Sequence, residues 1–162
     1  MQSGHQGGIA AMRVYLVIMD DTEEALVALR FASHRAIKTG GKLQIITLVE
    51  PQPFVAFAGV QATIDEEARE RAQTTAATAA GSILSEGGAM PEISVMRGEG
   101  VKVVRDYLDT HPEISALVLG AAVEGGPGPL VSHFTGAQAG GLPCPVFVVP
   151  GSLSEEDIER LS

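Results

Sequence analysis

The sequence has no tryptophan and a single cysteine, and only 4% of its 162 residues are aromatic. One thiol, Cys144, excludes an internal disulfide and suits a reducing cytoplasm. Basic residues are scarce: 11 Lys and Arg face 20 Asp and Glu, for a formal net charge of -9. Affinity for a phosphate backbone is carried by Lys and Arg, so nucleic acid is a poor partner for this chain. No stretch approaches the roughly 18 uninterrupted apolar residues that a membrane span requires, so no membrane partner is expected. The opening MQSGHQGGIAAM lacks the basic start and the apolar block of a secretory signal. Residues 1–11 read as a disordered leader, with Met12 as the natural start, residues 12–150 as one domain and residues 151–162 as a tail helix. His5, His34, His111 and His133 show no zinc spacing, and no metal site is read. An aromatic-poor chain without an acidic cluster at a strand end offers no clear flavin or phosphotransfer site.

What is present is a regular alternation. Arg13–Met19 (RVYLVIM) is a β-branched run of strand length that ends at Asp20, Asp21 and Thr22. Ala25, Leu29, Ala32 and Ala36 then share one helical face, with Asp21 or Thr22 as cap, Glu23 and Glu24 in the first turn, and Gly40–Gly41 as the stop. Leu43–Glu50 reads as a second buried strand. The apolar loop around Phe54 and Phe57 reads as core packing, with a cover over a ligand crevice or a partner contact as the alternatives. A helix opening near Thr63 or Asp65 carries the stripe Ala68, Ala72, Ala76, Ala79 and Ile83 and ends at Gly87–Gly88. The strand EISVM, a helix with Val101, Val104 and Leu108 inward, the strands ISALVLG and PVFVV, and the tail SLSEEDIERL complete the order. Ser154 and Asp157 sit at capping-box spacing. Near-continuous apolar strands alternating with helices predict an α/β fold: a five-stranded parallel open sheet with helices on both faces, in flavodoxin-like layering, plus a short C-terminal helix. Ligands of such sheets sit beyond the carboxyl ends of the strands, here Asp20, Val49, Gly98 and Gly120.

GAAVEGGPGPLVSH, residues 120–133, lies at one of those ends. Glycine permits the positive φ and close approach that a phosphate cradle needs, whereas Pro127 and Pro129 each remove an N–H donor. No Lys or Arg occurs between Arg105 and Arg160 to balance phosphate charge. The stretch therefore reads as a shaped connection, with an anion cradle built on Gly125–Val131 as the alternative. Adjacent helical residues diverge by roughly 100°, so Ser132 and His133 make no nucleophile–base pair. Ser132 reads as a cap. His133 reads as a surface or pocket residue that can bond a ligand. No catalytic residue is assigned.

Taken in order, VIMDDTEEALVALRFA, LQIITLVEP, RGEGVKVVRDYL, ISALVLG and LPCPVFVVP resemble the universal stress protein family from Arg13 to Pro150. The resemblance implies an adenine nucleotide alpha hydrolase-like layering, a homodimer, and in some members an adenine-nucleotide site. It would put Asp20 beside a nucleoside, Val49 against the base, and Gly120, Ala121, Gly126, Gly128, Ser132 and His133 near the phosphates. The family's phosphate pattern is Gly, two residues, Gly, nine residues, then Gly with Ser or Thr. Gly120 fits the first position; Val123 and His133 stand at the other two. Two expectations follow from the resemblance. One is a cytoplasmic stress-response and signalling homodimer without ordinary ATP binding. The other is an ATP- or AMP-binding protein with a variant loop and, at most, slow hydrolysis. In the family's order the last strand is an edge, and its uncharged Val146, Phe147, Val148 and Val149 suit pairing with a second copy unless the tail helix covers them.

Overall fold

The computed structural model describes residues 12–49 and 58–162. The expected leader at residues 1–11 and the apolar loop around Phe54 and Phe57 lie outside the described residues. Five strands, β1 (Val14–Met19), β2 (Lys42–Val49), β3 (Glu92–Arg97), β4 (Ala116–Ala121) and β5 (Val146–Pro150), form one sheet in the order β3-β2-β1-β4-β5. Every pairing is parallel. Between them run α1 (Glu23–Thr39), α2 (Ala58–Ser85), α3 (Gly100–Thr110) and α4 (Pro129–Phe134), and α5 (Glu155–Leu161) follows the last strand.

All six residues of β1 are buried, because helices cover both faces of the sheet. Successive side chains of a strand point to opposite faces. Tyr15, Val17 and Met19 accordingly join Leu43 and Ile45 of β2 under α1, α2 and α5. Val14, Leu16 and Ile18 join Ile46 and Leu48 over α3 and α4. The predicted stripe of α1 is buried at all four positions. Thr22 caps this helix by accepting from the Ala25 N–H at 3.3 Å, and Gly40, at φ 67°, closes it.

α2 departs from the sequence reading at its start and along its face. It opens at Ala58, five residues before Thr63, since a helix's first-turn N–H groups lack intrahelical partners and Gly59 costs little there. Ala76, Ala80 and Ile83 enter the core, with Ala79 only half-buried. Ala68 and Ala72 border a cleft instead of packing on the sheet. In α3, Val104 and Leu108 are buried as expected, whereas Val101 is half-buried. α4 is short and ends at Phe134, with Thr135 as its C-cap.

The tail helix carries its capping box: Ser154 Oγ accepts from the Asp157 N–H, and Asp157 Oδ2 accepts from the Ser154 N–H. Ile158 is buried against α1, and Lys38 donates to the Glu159 carbonyl and to Ser162 Oγ. α5 thus lies on the α1 face, and Val148 of the edge strand β5 is 41% exposed. No described helix is long and apolar enough to cross a membrane.

Candidate functional site

The strand order changes direction at β1, whose neighbours β2 and β4 feed crossovers on opposite sides. A cleft of about 330 Å³ opens there, at the carboxyl ends of β1, β2 and β4. Its size falls at the lower end of ordinary small-molecule sites. Asp20, Val49, Gly120 and Gly128 all border it. Ala121, Gly126, Ser132 and His133 do not. Gly126 is exposed in the connection after β4, and Ser132 is exposed on α4. The His133 ring stands edge-on to Phe134 at 4.9 Å between centroids. Ala121 is the last residue of β4 and packs on the α3–α4 face of the sheet, away from the cleft.

Asp20 is held by its own turn. Its Oδ1 accepts from both the N–H and the hydroxyl of Thr22, while Oδ2 has no partner among the described residues. A carboxylate fixed by one oxygen and free at the other is suited to accept from ligand hydroxyls. Asp21 and Glu24 stand at the same mouth. So does Arg71 of α2, with Nε 4.0 Å from Asp21 Oδ2 and both side chains well exposed. Arg71 is a cation that lies outside the loop after β4, because α2 brings it from the other side of the crevice. Its i, i+4 relation to Thr75 and its place between Ala68 and Ala72 were the only signals.

Gly120 owes its identity to packing. A Cβ there would lie 2.1 Å from the Glu24 carbonyl oxygen and 2.5 Å from its carbon, so only glycine lets β4 meet the first turn of α1. Gly125, Gly126 and Gly128 have φ of 77°, 89° and 104°, in the left-handed region, with open space around each Cβ position. Of Gly125–Val131, the five residues from Pro127 to Val131 reach the cleft wall; Pro127 and Pro129 lack an N–H, whereas Gly128, Leu130 and Val131 have one. Among the described residues no group of three His, Cys, Asp or Glu side chains is placed to hold a metal ion. Cys144 is half-buried at the entry to β5, and burial pushes its thiol above the ordinary range.

No curated protein matches the sequence. Solved structures do. Universal stress protein UspA from Lactobacillus plantarum aligns with a TM-score of 0.76 at 20% identity, over 86% of this chain and 99% of that one. A universal stress protein in complex with cAMP aligns at 0.54 and 18% identity, over 88% and 100% of the two chains. The universal stress protein from Archaeoglobus fulgidus in complex with dAMP aligns at 0.50 and 16%, over 87% and 99%. The sequence model of the universal stress protein family matches residues 12–150. With the five-stranded parallel sheet, this match establishes that the chain belongs to the universal stress protein family.

Proposed function

We propose that the chain is a nucleotide-responsive stress module whose cleft takes an adenine nucleoside monophosphate and which acts as a homodimer through β5. One observation carries the nucleotide reading: Arg71 stands at the mouth of the same cleft that gathers Asp20, Val49, Gly120 and Gly128. A free carboxylate oxygen on Asp20 suits ribose hydroxyls, and an exposed guanidinium suits a phosphate. The charge balance selects the phosphate count. Asp20, Asp21 and Glu24 oppose Arg71 at the mouth, and Pro127 and Pro129 remove two N–H donors from the wall opposite. One phosphate can be matched there; a triphosphate meets uncompensated repulsion. The cAMP and dAMP of the two related structures are likewise single-phosphate adenine nucleotides, which supports the choice.

Thermal denaturation tests this. AMP at 100 times its dissociation constant should stabilise the fold by about 2.7 kcal/mol, and ATP at the same concentration by much less. Arg71→Gln should weaken AMP by about 10- to 100-fold and leave adenosine unchanged, as expected for one lost charge-assisted bond. No shift with any adenine nucleotide would leave the second reading, a signalling homodimer without nucleotide. The packing origin of Gly120 favours that second reading, since the one glycine fitting the phosphate pattern is required by the fold itself.

A further inference from the structure

The cleft does not end at the strand tips. It continues between β2 and α2, where Ala68, Ala72 and Thr75 of α2 face Met19 and Thr47 of the sheet. Residues 68, 72 and 75 are spaced i, i+4, i+7, so they form one helical stripe, and the two alanines leave room that larger side chains would fill. Thr47 pairs with Met19, the last residue of β1, and lies two residues before the end of β2. It is 3% exposed, and its Oγ1 has no hydrogen-bond partner. Thr75, opposite it on α2, also has no hydrogen-bond partner among the described residues.

A buried hydroxyl without a partner costs roughly 1–3 kcal/mol, and a fold that only needed a filler here would do better with valine. Thr47 carries that cost; Thr75 is half-buried, and the two residues border one lobe from separate elements. Each can donate one bond and accept others, and neither carries charge. The lobe is thus neutral and polar where the mouth is ionic. We propose that Thr47 and Thr75 form the base-recognition lobe of the cleft, bonding the polar edge of a heterocyclic base that enters between β2 and α2. The hydroxyl of Thr47 reaches the base by one staggered step about its Cα–Cβ bond, which breaks no existing hydrogen bond. Arg71, four residues before Thr75 on the same face, then stands one turn nearer the mouth, on the side of the phosphate. This assignment rests on the nucleotide reading given above.

The test uses the full chain, AMP as probe, and the variants Thr47→Val, Thr75→Val and Thr47→Ser. Valine keeps the shape and removes the hydroxyl; serine keeps the hydroxyl. Each valine variant should bind AMP about tenfold more weakly, and the serine variant should bind within a few-fold of the parent. The ligand-free melting temperature of Thr47→Val should be unchanged or higher. A melting temperature that drops for Thr47→Val without ligand overturns the inference, because the hydroxyl would then serve the fold. Unchanged AMP affinity in both valine variants overturns it while leaving the nucleotide reading intact. Absence of AMP binding by the parent overturns both.

Discussion

At the scale of single residues, glycine and cysteine show how one residue type carries different demands. Gly120→Ala would force a Cβ into the Glu24 backbone, where no flexible side chain can move aside. We expect a loss of about 2 kcal/mol and a fall of about 5 °C in melting temperature, read by calorimetry. Gly126 stands in open space and does not border the cleft, whereas Arg71 does. The sequence names Asp20, Val49, Gly120 and Gly128 because they are tied to strand ends or the loop that follows one. It cannot name Arg71, Thr47 or Thr75, because only the packing of α2 on the sheet brings them to the same space. Cys144 yields a second expectation. Its thiol is held above the ordinary range by burial, so at pH 7–8 it stays protonated. Native protein should react with a disulfide reagent much more slowly than the same protein in denaturant, as followed by absorbance.

Among the elements, those with a clean apolar period and a local stop signal were legible, and α2 was not wholly so. α1 has both, with Thr22 and Gly40 closing it at each end. α2 is rich in alanine, which suits a helix yet marks no face sharply, so its start and its buried side were misread by a few residues. β5 is an edge strand with Val148 exposed and no charged residue among Val146, Phe147, Val148 and Val149. If two copies meet there, Val148→Lys should turn the dimer into monomer in sedimentation at micromolar concentration, with the melting curve of the monomer retained. A monomeric parent would remove the interface. The tail helix supplies a pH dependence. Hydrogen bonds from the Ser154 backbone and hydroxyl, with Arg160 beside it, hold the Asp157 carboxyl below its ordinary value. A carboxylate with a depressed folded value stabilises the helix above the ordinary carboxylate range and stops doing so as pH falls through its own value. Amide exchange of Asp157 and Ile158 should therefore speed up in acid, and Asp157→Asn should flatten that dependence.

For the molecule as a whole, layering was the most legible property, since it follows from alternation and burial that any α/β sheet must satisfy. The position of a crevice followed from that layering, and its chemistry did not, because chemistry depends on which side chains meet across it. An acidic surface with one arginine at the cleft mouth also makes ligand capture sensitive to salt. The first turn of α1 has one more role. Gly120 abuts the carbonyl group of Glu24, and Gly151, whose N–H donates to the Ala121 carbonyl at 2.8 Å, abuts the Cβ and Cα of the same residue. Every atom met on the helix side is one that all residues except glycine possess. Position 24 is consequently a joint that tolerates almost any side chain, while the two positions facing it tolerate none. The seating of the first turn of α1 against β4 and the residue after β5 is thus guarded by two absences of a methyl group.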